Sequence, residues 1–345
     1  MSYNTAVERK KAVTVASVLL SIFLIGVFLK LAKSFLIPFV LALFIYFVLS
    51  PVLDLMTRWK LSRGLALGII LLITALVLYL LGVLAFESGK SFASEIPKYG
   101  QKFNAMVESI RQALRLGDTP WDPLAWLKGM DIGKLGAMAL ASLGTFLSFL
   151  STFFLVLIFL IFMLAGRGKL NEKIQRSFSP HRAAQLNAMI NQIDSRIQKY
   201  LAIKTVISFA SGLLTTVFLL IFGVDFAVAF GFLTLVLNYI PNIGSFISKL
   251  APFLIAIVQF GSFWKAVWVL GILTVLDAIT SMIIEPRLMG QGLGLSTLGI
   301  LVALFFMGWL WGIPGMILAV PIMAVLKIVC GSFPSLRFFE ALLSK

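Results

Sequence analysis

Thr274, Asp277, Ser281 and Glu285 follow one another at spacings of three, four and four inside an otherwise apolar run, Gly271-Ile-Leu-Thr-Val-Leu-Asp-Ala-Ile-Thr-Ser-Met-Ile-Ile. That spacing puts all four on one helical face. Two carboxylates and two hydroxyls in a stripe could bind a proton or cation, or hydrogen-bond a polyol. A carboxylate at bilayer depth costs about 3 kcal/mol on insertion scales, so it needs a partner, a wet cavity or a task. Asp277 and Glu285 are therefore candidate ion- or proton-coupling groups. The plainer alternative is that Asp277 pairs with one buried donor, such as Lys249, and only fixes packing.

Glu285-Pro286-Arg287 ends this helix, because proline disfavours helix at the residue before it and has no amide donor. Glu285 with Arg287 reads as a gate or as a surface ion pair on a capped end. Gly290, Gly292 and Gly294 then permit a tight turn. In Asn238-Tyr-Ile-Pro-Asn-Ile-Gly244-Ser245, Pro241 and Gly244 break a helix and free backbone groups. Asn238, Asn242 and Ser245 surround that break and are candidate substrate contacts, joined by Thr274 and Ser281.

Other chemistries fail on residue type. A serine intramembrane protease needs a membrane histidine, and the one histidine, His181, lies in a polar insertion. An aspartyl protease needs two apposed aspartates, and Asp277 is the one that lies deep. Gly89-Lys90-Ser91 mimics the end of a phosphate loop, but position 84 is leucine and no strand precedes it. Cys330 is the one cysteine, so no intramolecular disulfide or cysteine-rich metal site can form. No catalytic residue, metal or cofactor is expected.

The elements that must position these groups are membrane helices. Of 345 residues, 60% are hydrophobic and 12% charged, with a mean hydropathy of +1.03. That excludes a soluble globular fold and predicts an all-α polytopic membrane protein. A membrane barrel would instead show short alternating strands. Spans are expected over 12–32, 35–53, 65–86, 138–166, 205–223, 224–240 and 264–284. Two segments are irregular: 243–260 is short and starts at a proline turn, and 296–329 is too long for one straight span. The second is interrupted by Gly312-Ile313-Pro314-Gly315. Each is a broken or re-entrant candidate, tolerated at membrane depth only where protein or a wet cavity surrounds it. If 243–260 spans, 296–329 should be a hairpin; if 243–260 is re-entrant, the later segment should cross once. Gly308 to Gly312 and Gly64 to Gly68 have small-residue spacing that reads as close helix contact.

Two polar insertions carry amphipathic stripes. In 87–137, Phe92, Ile96, Tyr99, Phe103, Met106, Ile110 and Leu114 recur at spacings of three and four, until Asp118-Thr119-Pro120 ends the helix. In 167–204, Ser179-Pro180 starts a helix whose stripe is Leu186, Ile190, Ile193, Ile197 and Tyr200. These faces suit a membrane surface, packing against the rest of the protein, or a subunit contact.

The net charge of +15 lies mostly beside apolar spans, which fits anionic lipid and topology, not nucleic acid. The amino terminus, the loop with Arg58, Lys60 and Arg63, and 167–204 share one side with fourteen basic residues. That side should be cytoplasmic, and both termini with it. The 12–32 segment follows Arg9, Lys10 and Lys11 but is too long for a signal-peptide core and has no cleavage site, so it reads as a retained first span.

Three motifs, Asn238-Tyr-Ile-Pro-Asn-Ile-Gly244, Glu285-Pro-Arg-Leu-Met-Gly290 and Trp309-Leu-Trp-Gly-Ile-Pro-Gly-Met-Ile-Leu-Ala-Val-Pro321, preceded by Tyr200-Leu-x-x-Lys204 and Gly212, resemble the autoinducer-two exporter family. The span layout is similar over almost the whole chain. The resemblance implies a bacterial inner-membrane transporter of roughly eight spans. Some members are proposed to export the furanone-type quorum signal and others to exchange sodium for protons. It also implies a homo-oligomer, a pentamer being the order it suggests, and a moving substrate region over about 200–329.

In that reading Pro241, Gly244, Pro286, Gly290, Gly312, Pro314 and Gly315 shape helix breaks or hinges. The expected partners are membrane lipids, a small polar solute, and protons or sodium. The rivals are a sodium–proton antiporter using Asp277 and Glu285 directly, and a non-transporting membrane scaffold or regulator that binds partners through the two insertions.

Overall fold

Apolar runs of this length become helices because, in hydrocarbon, every backbone donor and acceptor must be paired within its own segment. The computed structural model describes residues 17, 20–21, 23–113, 146–166, 169–289, 293–333 and 336–344. A helical stretch over 23–31 leads to α1 (Lys33–Arg58), α2 (Arg63–Ala113), α3 (Phe146–Ala165), α4 (Lys169–Ser177), α5 (Pro180–Ile221) and α6 (Ala227–Leu237). Then come α7 (Ile243–Phe260), α8 (Phe263–Ala278), α9 (Thr297–Trp311), α10 (Ile313–Ser332) and α11 (Arg337–Leu343). Helix α8 runs on through a wider π-type turn, Ile279–Ile284, and a last α-helical turn, Glu285–Met289. The protein is an all-α, polytopic membrane protein. Among the described residues, six helices are long and apolar enough to cross, and a seventh if Leu150–Ala165 counts with Lys169–Ser177. Of the expected first span, 12–32, the part over 23–31 is helical, and residues 12–16, 18, 19 and 22 lie outside the described residues.

Several boundaries differ from those expected. The span at 65–86 and the stripe that follows form one helix, α2, of 51 residues, roughly 76 Å long at 1.5 Å per residue. Its apolar part is Arg63–Phe92, so the rest projects as an arm. The expected helix end at Asp118-Thr119-Pro120 lies outside the described residues. Likewise, the insertion 167–204 and the span 205–223 merge in α5, 42 residues long, with Pro180 in its first turn. Ser179 stands at the N-cap position but makes no side-chain capping bond.

Within 224–240, turns at both ends leave only the 11 residues of α6. At about 16 Å it falls well short of the roughly 30 Å hydrocarbon core. Residues 243–260 form an uninterrupted helix of 18 residues containing Pro252. Residues 297–332 form two helices broken at Gly312, whose φ is +68°. The break folds the chain back on itself: a Cβ on Gly308 would lie 3.0 Å from Met316, and one on Gly299 3.6 Å from Met323. The segment is therefore a helical hairpin.

Since lipid is as apolar as leucine, packing between these helices is driven by van der Waals fit and polar pairing more than by exclusion of water. Helices α5 and α6 are the most extensively packed pair. Their backbones approach so closely that a Cβ on Gly212 would stand 2.7 Å from the Gly231 carbonyl oxygen and 2.9 Å from Leu235 Cβ. Gly64 and Gly68 have no such neighbour, so their small-residue spacing makes no close helix contact. One core joins α1 to the hairpin through Phe47, Leu201, Ile240, Leu304, Ala319 and Val320. A second gathers Leu219, Phe230, Ala256, Val269 and Leu273 where α5 to α8 meet. A third ties α1, α2 and α3 together around Ala42, Ile70 and Leu160. The hairpin tip is held to the 23–31 helix by the Trp311 indole, which donates to the Leu29 carbonyl at 3.0 Å. Lys30 lies over Trp309, 4.4 Å from the ring centroid.

Candidate functional site

The break between α6 and α7 is built by Asn238 to Ile243. Asn238 caps α6, and Asn242 takes φ +62°, ψ −52° before α7 begins. A positive φ is costly for most side chains but is adopted by asparagine more readily than by other residues. Gly244 sits against the Leu237 carbonyl, where a side chain would collide. This turn, α5, the end of α8 and the loop over 293–297 enclose an open cavity of about 640 Å³. Its lining includes Asn238, Asn242, Ser245, Asp277, Ser281 and Glu285, together with Pro241 and Pro286.

Both carboxylates in this cavity carry a lysine partner from another helix. Asp277 Oδ2 lies 2.6 Å from Lys249 Nζ, which realises the packing alternative for Asp277 without removing it from the cavity. Glu285 is bound through both oxygens by Lys204 Nζ, at 2.7 and 2.9 Å. Lys204 is buried, with 4% of its surface exposed, so this pair is well shielded from water.

Arg287 is exposed and is not among the lining residues. In a helical turn, residues two apart do not face one another, so the expected Glu285–Arg287 pair gives way to Glu285–Lys204. Thr274 also falls outside the cavity: it is exposed and donates to the Leu270 carbonyl at 2.7 Å. The wide i→i+5 turn that follows Asp277 keeps Asp277, Ser281 and Glu285 all on the cavity wall. The Ser281 hydroxyl donates to the Asp277 carbonyl at 2.7 Å.

Hydrogen bonds hold the broken segment to α5. The Asn238 amide donates to Ser208 Oγ at 3.2 Å, and Tyr239 OH donates to Thr205 Oγ1 at 2.8 Å. The hairpin break residues Gly312, Pro314 and Gly315 are not lining residues; they shape a turn elsewhere. Gly290 lies outside the described residues.

The cavity wall runs from Tyr200 and Lys204 in the middle of α5 to the 293–297 loop. That loop is stitched in place: Lys327 Nζ donates to the Gly294 carbonyl at 2.6 Å, and the Ser296 amide donates to Leu343 O at 2.9 Å. Deeper in, beyond Asp277, the wall narrows to a small chamber bounded by Leu273, which belongs to the apolar core of α5 to α8. At the opposite end, Tyr99 on the α2 arm donates to Asp225 and packs 5.7 Å from Phe226. Gln259 closes the same turn by accepting from the Asp225 amide at 2.9 Å and donating to Gly223 O at 2.7 Å.

Lys204, Ser211 and Thr280 belong to this region and were not singled out from the sequence as site residues. Lys204 had a usable signal, a cation at the point where the α5 stripe enters an apolar span, which demands an acidic partner. Ser211 and Thr280 had none, because a lone hydroxyl in an apolar helix is ordinary.

An all-helical membrane protein with a polar cavity beside a broken helix is the architecture of a membrane transporter. The chain belongs to the AI-2E family transporter family, whose model matches residues 17–335. It is 35% identical over 314 residues to the AI-2 transport protein TqsA of Escherichia coli K12, covering 90% of this chain and 89% of that protein. A candidate transport protein of Haemophilus influenzae is 31% identical over 321 residues, 91% of each chain. The candidate transport protein YhhT of Escherichia coli K12 is 29% identical over 298 residues, covering 86% and 84%.

Proposed function

We propose that this protein is a secondary transporter of the bacterial inner membrane that exports a small polar solute of the furanone signal class, coupled to an ion gradient. The observation that carries the reading is the cavity of about 640 Å³ in which Asn238, Asn242, Ser245 and Ser281 stand beside two lysine-held carboxylates. Its size lies in the range of small-molecule sites. A helix break supplies backbone polar groups, as discontinuous helices do in other transporters. The name of the TqsA relative supports the solute class. Both termini lie in the cytoplasm in this reading, the cavity is inward-facing, and the chain works as a homo-oligomer among membrane lipids. Glu285 with Lys204, in place of Arg287, forms the inner gate.

The test is flux into proteoliposomes holding the purified protein, with labelled furanone signal and with sodium, in the presence and absence of an imposed proton gradient. Saturable, gradient-dependent furanone flux is expected, with the gradient dependence lost in Asp277→Asn. Sodium-driven proton movement without furanone flux would favour the sodium–proton antiporter instead, a reading supported by the pairing of each carboxylate with a cation.

A further inference from the structure

Beyond the Asp277–Lys249 pair the cavity narrows to a chamber of about 20 Å³, enough for one water-sized particle. Its walls come from α5, α6, α7 and α8 and are unusually rich in oxygen. Three of the hydroxyls have already spent their proton. Thr234 donates to the Phe230 carbonyl at 2.8 Å, Ser248 to Ser245 O at 3.1 Å, and Thr280 to Leu276 O at 2.7 Å. A hydroxyl has one proton to donate and two lone pairs to offer, so what remains toward the chamber is acceptor capacity. The Asn238 amide nitrogen is used by Ser208, which leaves its oxygen as a further acceptor. Asp277 adds a carboxylate. Ser211 Oγ is buried and bonds to nothing, an expense of about 1–3 kcal/mol that native interiors normally avoid.

Among the described lining residues, the one cation is the Lys249 ammonium, 2.6 Å from Asp277. Lys249 lines both the chamber and the larger cavity, so its flexible stem has open space into which the ammonium can withdraw. A second positive charge could not settle beside Asp277 while the ammonium stays there, because one carboxylate neutralises one cation.

We propose that the chamber is a site for one dehydrated monovalent cation, and that this ion and the Lys249 ammonium are alternative occupants of Asp277. Hard neutral oxygens with a single carboxylate suit an ion of the sodium or lithium kind more than a divalent one, which gathers several carboxylates. Ser211 Oγ is a buried ligand with no other duty. The lysine makes the site switchable: with no ion bound, Asp277 stays neutralised by a tethered cation and the cavity is never left with a bare half-buried charge. This proposal rests on the ion-coupled reading of Asp277 above.

The test is thermal unfolding of the detergent-purified full chain, titrated with sodium, lithium or potassium against N-methylglucamine at constant ionic strength, with furanone flux measured in parallel. Sodium or lithium is expected to raise the midpoint saturably. Ser211→Ala should raise the half-saturating concentration by on the order of tenfold, and Lys249→Gln should lower it by on the order of tenfold, since one removes a ligand and the other the competitor. Should Lys249→Gln fail to fold, Ser211→Ala alone decides, because it leaves the ion pair untouched. A midpoint indifferent to small cations, in wild type and Lys249→Gln alike, means that the chamber holds water and overturns the proposal. So does a cation effect that Ser211→Ala leaves unchanged. Furanone flux that persists without any cation effect sinks this site but spares the transport reading, whereas cation binding without furanone flux does the reverse.

Discussion

Lys204 and Glu285, 81 residues apart in the chain, are joined through both carboxylate oxygens at 2.7 and 2.9 Å. The pair ties the middle of α5 to the last turn of α8 at the wall of the cavity. Removing one partner of a shielded pair leaves an uncompensated charge, which costs about 3–5 kcal/mol. Lys204→Met and Glu285→Gln should each lower stability by an amount near the bottom of that range, because the Glu285 side chain keeps 20% exposure. The double variant should recover most of the loss. Unfolding of the four proteins in detergent, read as a double-mutant cycle, checks this; equal and additive losses would deny the coupling.

At the opposite end, Tyr99 fastens the α2 arm to the α5–α6 turn through Asp225. Burial, and then the bond to Asp225, push the Tyr99 phenol well above its ordinary value of 10.0. The folded state therefore holds this proton more tightly than the unfolded chain does. Its contribution is complete below about pH 10 and falls away as pH rises beyond that point. Tyr99→Phe should loosen the arm at neutral pH and remove this alkaline component. Hydrogen exchange over 97–106, compared between pH 8 and 11 on folded protein after correction for intrinsic rates, provides the check.

Gly212 is a packing requirement. A methyl at this position would stand 2.7 Å from the Gly231 carbonyl oxygen and 2.9 Å from Leu235 Cβ, forcing α5 and α6 apart. Gly212→Ala should destabilise by about 1–3 kcal/mol, seen as a lower unfolding midpoint. A midpoint unchanged or raised would mean that the two helices separate without cost.

The mouth loop depends on Lys327, which donates to the carbonyls of Gly294 at 2.6 Å and Leu293 at 3.4 Å. Lys327→Met should free the loop, so that the Ser296 amide, now bonded to Leu343 O, exchanges faster by on the order of tenfold, equivalent to 1.4 kcal/mol of local stability. Exchange at the wild-type rate would show that α11 alone holds the loop.

Much of the scaffold could be read from the chain because hydropathy alone places a helix where some twenty apolar residues run together. The helix lengths were harder. Glu87-Ser88-Gly89-Lys90-Ser91 looks like a boundary, yet a membrane helix can simply leave the bilayer and continue, as α2 does. The same reason fuses the stripe ending at Tyr200 with the span that follows. Asp277, Ser281 and Glu285 were legible as a polar face, while Thr274 was assigned to it on a regular 3.6-residue period that the π-type turn interrupts. Partner choice was the least legible. Arg287 is near Glu285 in sequence but faces away from it, and Lys204 becomes its neighbour only when α5 packs on α8. Ser211 had no local signal at all, since its distinguishing property is a missing partner in the folded protein.

In the proposed function the solute binds in the cavity beside the broken α6–α7 segment. The most direct measurement is saturable flux of labelled furanone signal through proteoliposomes, comparing wild type with Ser245→Leu, which places an apolar side chain on the cavity wall beside Asn238 and Asn242. With both proteins folded and equally incorporated, saturable flux is expected in wild type and a loss on the order of tenfold or more in the variant. Equal flux and equal half-saturation in the two would contradict it.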